Sequence, residues 1–212
     1  MTLTRRRLLK NSASTAITLA ALGVSVVFTN AASEGPFFAT NLLPEIYMGD
    51  DNASVTLTEY ASMTCPHCKR FHEEVMPKIK KKFIDTGKAR YALREFAFDP
   101  RASAAFMLAR CSPKQNYYPM IDMLFASQDD WARSKTPVKT LLKLSKRGGF
   151  TEETFKACLT NRALLGNLNA IKERGEKDFG VRAVPTLFIN GVRFEEPLSV
   201  ENVTRAIEKA MV

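Results

Sequence analysis

SVTLTEYASMTCPHC, residues 54–68, decides the fold. Its first half, Ser54 to Tyr60, is rich in β-branched residues and has the length of a strand; Cys65-Pro66-His67-Cys68 comes directly after it. Beyond the cysteines, Phe71, Val75, Ile79 and Phe83 fall four apart, which lines them along one side of a helix from Pro66 to Ile84. Pro66 suits the first turn, where no intrahelical N–H bond is lost. Pro77 lies inside and is expected to kink this helix or divide it in two. A C-x-x-C pair at the mouth of a helix can close a small disulfide whose first sulfur sits over the unsatisfied N–H groups of the first turn. That geometry favours thiolate at Cys65. An ordinary thiol of pKa ~8.5 is only about 3% ionised at pH 7, and each unit of depression favours thiolate by ~1.4 kcal/mol. Reduced protein gains from this and the disulfide does not, so a depressed pKa makes the disulfide a stronger oxidant. His67 can add a hydrogen bond or a positive charge at the Cys65 sulfur. On an arbitrary helix the same residue would be a solvated surface histidine.

Working outward, residues 33–52 hold Gly35-Pro36, Pro44 and Gly49 and lack helical periodicity. They read as an arm, with a short edge strand near Ile46 to Met48. Arg90 to Phe98 is a second strand candidate. A helical block follows: Ala102 to Arg110, Tyr117 to Ala126, Pro137 to Arg147 before Gly148-Gly149, Glu152 to Leu159 after Thr151, and Arg162 to Lys177 after Asn161. Thr186 to Asn190 and Val192 to Glu196 flank Asn190-Gly191, a strong signal for a tight hairpin turn. A last helix follows Ser199, with Val200, Val203, Ile207 and Ala210 facing in. The order is that of an α/β sheet interrupted by an α-helical segment.

Cys-Pro-His-Cys after a Glu-containing strand, with Val184-Pro185-Thr186 far downstream before the Leu187-Phe188-Ile189-Asn190-Gly191 hairpin, resembles the DsbA family of thiol oxidases within the thioredoxin fold. The segment Tyr117 to Gln128 shares the likeness, which covers the chain beyond about residue 45. The resemblance implies an exposed nucleophile at Cys65, a buried partner at Cys68 and a cis peptide before Pro185. The Val184 backbone would then lie beside Cys65 and pair with an extended substrate segment. It also implies that Glu59 is a buried acid that moves the proton of Cys68, whereas an isolated strand glutamate would face solvent. The expected partition is a thioredoxin-like domain of residues 33–100 and 178–212 around an inserted helical domain, 101–177.

Cys111 and Cys158 are expected to form a structural disulfide, with two free buried cysteines or a second redox pair as alternatives. Many members of the family lack this pair. Closing such a loop contributes ~4 kcal/mol in the chain-entropy model. Four cysteines and two histidines could in principle hold zinc, but one C-x-x-C and no matching second spacing argue against metal. A c-type haem attachment needs histidine where Lys69 stands. The cysteines themselves carry the oxidation equivalents, so no metal, flavin or nucleotide is required as a cofactor. Phe37, Phe38, Tyr117, Tyr118, Phe125 and Trp131 are read as core or groove walls, and His72 as a solvated residue of the active-site helix.

Residues 1–32 read as an export signal: basic Arg5, Arg6, Arg7 and Lys10, an apolar run from Ala13 to Phe28, then small residues around Ala31 and Ala32. The run is ~16 residues, short of the ~20 of a comfortable span, so cleavage is favoured over a retained tether. The paired arginines leave the twin-arginine route open beside general secretion. Either route leads to the periplasm, where disulfides persist. The chain of 212 residues is 45% hydrophobic and 25% charged, which suits one or two globular domains. Its net charge of +9 falls to +5 beyond residue 32, because 31 minus 4 leaves 27 basic residues against 22 acidic ones. With no basic stripe, nucleic acid is a poor partner.

The reading is a monomeric thiol:disulfide oxidase acting on reduced, unfolded exported proteins, and the resemblance implies reoxidation by a quinone-linked membrane protein of the DsbB type. A reductase or isomerase of the same fold, or a non-catalytic peptide-binding chaperone, are the alternatives. Isomerases of this fold commonly carry a dimerisation domain, for which the short arm before residue 50 leaves no room.

Overall fold

In the computed structural model, residues 43–211 are described. The export-signal reading of residues 1–32 and most of the arm lie outside them. The described residues form a five-stranded sheet of order β1-β3-β2-β4-β5: β1 (Tyr47–Met48), β2 (Val55–Ala61), β3 (Ala89–Glu95), β4 (Thr186–Ile189) and β5 (Val192–Arg193). β2 and β3 are parallel, and every other pairing is antiparallel. A parallel pair needs a crossover, here the helical run that opens at Cys65. Every residue of β2 is buried, as a central strand covered on both faces requires. Glu59 stands in that strand, opposite Leu93 on one side and Leu187 on the other.

The crossover is continuous but not uniform. α1 (Pro66–Arg70) runs into a π-helical turn at Phe71–Val75, then α2 (Met76–Ile79) and a second π turn, Lys80–Ile84. Pro77 therefore neither breaks the helix nor ends it: the wider turn ahead of it accommodates a residue that cannot donate an N–H. Phe71, Val75, Ile79 and Phe83 are buried along the run, as their spacing predicts.

Between β3 and β4 lies the helical insertion: α3 (Pro100–Cys111), α4 (Tyr117–Ala126), α5 (Gln128–Trp131), α6 (Pro137–Arg147), α7 (Glu152–Leu159) and α8 (Arg162–Asp178). α9 (Val200–Ala210) closes the chain. Local signals set the helix starts. Thr151, Asn161 and Ser199 each accept a hydrogen bond from the backbone N–H three residues on. β3 stops short of the expected Phe98 because Asp99 caps α3, accepting from Arg101 N at 2.8 Å and Ala102 N at 3.0 Å. The chain has to leave the sheet before that cap, and Phe98 is left exposed.

Asn190 and Gly191 both have positive φ, +48° and +79°, as a two-residue hairpin turn requires. Asn190 Oδ1 also accepts from Thr56 N at 2.7 Å, tying the turn to the central strand. β5 is shorter than expected, ending at Arg193, although Phe194 N still donates to Leu187 O at 2.9 Å. Gly175 lets α8 approach β2 closely: a Cβ there would meet the Tyr60 ring at 2.7 Å.

Cys111 and Cys158 are joined by a disulfide that staples the end of α3 to α7. A buried polar cluster pins the segment before β1. Arg94 donates to Glu45 at 2.7 Å and to the Tyr60 hydroxyl at 2.9 Å. Arg110 donates to both Glu95 oxygens and to Pro44 O. The Tyr117 hydroxyl donates to Glu95 and that of Tyr118 to Ile46 O. No helix among the described residues is long and apolar enough to cross a membrane.

Candidate active site

Cys65 is the N-cap of α1, in extended conformation, and Pro66 occupies the first turn. The sulfurs sit in unlike places. Cys65 is partly exposed, whereas Cys68, one turn further on, is completely buried. Both are free thiols. The loop ahead of them is fixed by groups from the insertion and its leading turn. Gln128 Nε2 donates to Met63 O at 2.9 Å and to Cys65 O at 3.0 Å, and Thr64 Oγ1 donates to Asp99 Oδ2 at 2.6 Å. Lys69 pairs with Asp129 at the start of α5. α5 therefore holds the mouth of α1, although a single helical turn offers no periodicity by which a sequence could announce it.

The Val184–Pro185 peptide is cis, in keeping with the resemblance, and Val184 O lies 3.6 Å from Cys65 Sγ. The cysteine pair and the distant Val184-Pro185 are thus side by side.

The Cys65 thiol is lowered to about 6. The hydrogen bond from the Cys68 thiol is the largest cause of that lowering; the backbone N–H groups of Cys68 and His67 and the charge of His67 add to it, and burial opposes it. His67 itself is exposed, and the dominant donor is the partner cysteine. Cys68 moves the other way: burial pushes its thiol far up, assisted by its bond to Cys65 and by the nearby charge of Glu59.

Glu59 is fully buried, not solvent-facing, and its charge reaches the Cys68 thiol. Its Oε2 accepts from the Tyr91 hydroxyl at 2.5 Å and lies 3.0 Å from His72 Nε2. Its Oε1 has no hydrogen-bond partner among the described residues. His72 corrects an expectation: its side chain is only 5% exposed, stacked on Phe125 at 4.3 Å between ring centroids. Two causes turn it inward. It stands in the π turn, which shifts the register of the helix, and α4 lays Phe125 over it. The spacing carried a usable signal, since His72 follows buried Cys68 by four residues, one turn along the same face. Among the described residues no group of three or more His, Cys, Asp or Glu could hold a metal ion.

A five-stranded mixed sheet with a cysteine pair at the mouth of its crossover helix and a cis-proline beside it is a thioredoxin architecture, here carrying a helical insertion. The chain belongs to the thioredoxin family, in its DsbA-like branch: the family model described as "Thioredoxin" matches residues 41–209. The crystal structure of Wolbachia pipientis alpha-DsbA1 superimposes with a TM-score of 0.75 at 30% identity, over 80% of this chain and 92% of that one. BdbD from Bacillus subtilis shares the fold, with a TM-score of 0.72 at 23% identity over 79% and 92%. A protein of Rickettsia prowazekii (strain Madrid E), provisionally named a protein-disulfide oxidoreductase, is 33% identical over 168 residues. That match takes in 79% of this chain but 61% of the Rickettsia protein. Disulfide bond formation protein D of Bacillus subtilis (strain 168) is 25% identical over 169 residues, 77% of this chain and 76% of the relative.

Proposed function

We propose that this chain is a thiol:disulfide oxidase of the periplasm that forms disulfides in reduced, unfolded exported proteins. One observation carries the reading: the two sulfurs are electrostatically opposed, with a partly exposed Cys65 lowered to about 6 over a buried Cys68 pushed up. When the pair is oxidised, a substrate thiolate attacks Cys65 Sγ, the accessible sulfur, and the Cys65–Cys68 bond breaks. Cys68 leaves and takes up a proton, for which Glu59 is the acid at hand. A second substrate thiolate then attacks the substrate sulfur of the mixed disulfide, and Cys65 leaves as a stable thiolate. The substrate loses two electrons and the cysteine pair gains two.

The Val184 backbone, held beside Cys65 by Pro185, pairs with the extended substrate segment. His67 and the first turn of α1, opened by Pro66, favour the departing Cys65 anion. Residues 33–100 and 178–212 form the thioredoxin-like part and 101–177 the insertion over it. Residues 1–32 direct export, by general secretion or the twin-arginine route. Reoxidation comes from a DsbB-type quinone-linked membrane oxidase, and the protein acts as a monomer. The names of the Rickettsia and Bacillus relatives support disulfide chemistry.

The deciding measurement is the reduction potential of the Cys65–Cys68 couple in glutathione buffers. A value more oxidising than about −180 mV is expected, and one near thioredoxin's, about −270 mV, would make the protein a reductase. Cys65→Ala should abolish oxidation of a dithiol peptide. Activity that survived this change would leave the pair a structural feature of a peptide-binding module.

A further inference from the structure

Cys68 and Glu59 both have no exposed surface, so a proton exchanged at Cys68 cannot pass to solvent at either residue. Nor can Cys65 carry it. At the moment Cys68 must gain or lose a proton, the Cys65 sulfur is bonded to substrate in the mixed disulfide. Glu59 can accept the proton and then has to hand it on. Two groups meet its Oε2, Tyr91 and His72. Burial, followed by the charge of Glu59, raises the Tyr91 phenol well above its usual range, so at neutral pH it remains a fixed donor. The imidazole differs, since it can bind a proton on one nitrogen while releasing another from the second. Its Nε2 faces Glu59, and its Nδ1 makes no hydrogen bond with a described residue. The ring also lines a cavity of about 290 Å³, walled by Met48, Met76, Lys80, Asp122 and Phe125.

We propose that His72 is a proton-transfer and positioning residue, which with Glu59 joins the buried Cys68 thiol to the cavity between the crossover helix and α4. This rests on the exchange chemistry proposed above. When substrate expels Cys68, a proton enters from the cavity through His72 and Glu59 to the Cys68 sulfur. When the pair is reoxidised, the Cys68 proton leaves by the same path, its thiolate attacks Cys65 Sγ, and the thiolate of the oxidant departs. The groups facing the ring are Glu59 from β2, Tyr91 from β3, Asp122 from α4, and Glu73 and Lys80 from its own helix. The Asp122 carboxyl is raised by burial and opposed by His72, which suits a carboxyl at the cavity end of the path. Stacking on Phe125 holds the ring in line.

The test mixes reduced protein with excess oxidised glutathione, so that Cys65 is first glutathionylated, and follows the first-order step in which Cys68 releases glutathione, from pH 5 to 9. His72→Gln keeps a hydrogen-bonding group near Glu59 but cannot relay a proton. It should slow release at pH 7 by about tenfold or more and flatten the pH profile, with the Cys65 ionisation unmoved at about 6. In His72→Ala, added imidazole, which the enlarged cavity admits, should restore the rate. Wild-type release rates in His72→Gln would overturn the proposal, as would a slow His72→Ala that imidazole leaves unchanged. If His72→Ala does not fold, His72→Gln decides alone. Release from glutathione is scored whatever the potential of the pair, so failure of the oxidase reading and failure of the relay appear in different measurements.

Discussion

Replacing Cys68 with alanine removes the largest single cause of the low Cys65 pKa, the hydrogen bond from the Cys68 thiol. A hydrogen bond to a charged acceptor contributes about 1.5–3 kcal/mol, and one pKa unit corresponds to about 1.4 kcal/mol. The Cys65 thiol should therefore rise from about 6 to roughly 7–8, and its thiolate fraction at pH 7 should fall from roughly 90% to about half or less. Cys68→Ser keeps a donor and should stay near the wild-type value. His67→Ala, which removes a smaller contribution, should move the thiol less than Cys68→Ala does. The assay is thiolate absorbance at 240 nm in reduced protein, titrated from pH 4 to 10. A Cys68→Ala protein that still ionised near 6 would refute the assignment and transfer the effect to the helix mouth.

The same shift has a stability consequence of definite sign. In the reduced protein the folded-state pKa lies below the unfolded one, so the thiolate stabilises the fold fully above about pH 8.5 and loses that effect as pH falls through about 6. At pH 7 the contribution is at most about 1.4 kcal/mol, and screening of a partly exposed sulfur reduces it further. The disulfide form has no titrating thiol here, so the margin of reduced over oxidised protein should shrink from pH 8 to pH 5. Urea unfolding of both forms at those two pH values measures it.

Three further outcomes are expected. Glu45→Ala removes the ion pair between Glu45 and the buried Arg94 guanidinium, which keeps the Tyr60 hydroxyl among its partners, and should cost about 3 kcal/mol in chemical denaturation. Replacing Cys111 and Cys158 together by serine should lower stability by about 4 kcal/mol while the Cys65 titration stays near 6; a shift in that titration would mean that the two pairs communicate. Gly175→Ala forces a methyl against the Tyr60 ring and should destabilise by about 1–3 kcal/mol, read as a lower midpoint with an unchanged denaturant slope.

Features written locally in the chain were legible. Caps at Thr151, Asn161 and Ser199, the Asn190-Gly191 turn and the spacing of Phe71, Val75, Ile79 and Phe83 each depend on neighbours within a few residues, and the structure follows them. The juxtaposition of Cys65 with Val184 came instead from the family likeness, since no local pattern joins positions so far apart. What escaped the sequence reading is made by packing between elements. His72 looks like one more polar residue until Phe125 covers it and Glu59 meets it from the sheet. The four residues of α5 are too few to show a period, yet Gln128 holds two carbonyls of the cysteine loop. The sequence hides the end of β3, because an apolar run, Phe96 to Phe98, continues past the point where the Asp99 cap takes the chain out of the sheet.

The guanidinium groups of Arg94 and Arg110 set a boundary for any processing of the amino-terminal region. Each is answered by a partner just ahead of the first strand, Glu45 for one and the Pro44 carbonyl for the other. A peptidase cutting anywhere upstream of Leu43 leaves both partners in place. A cut after Glu45 would remove both, leaving Arg110 on Glu95 and Arg94 on the Tyr60 hydroxyl and its other contacts. Any cut that spares residues 44 and 45 thus keeps the partners of two cations that lie about fifty and about sixty-five residues downstream in the chain.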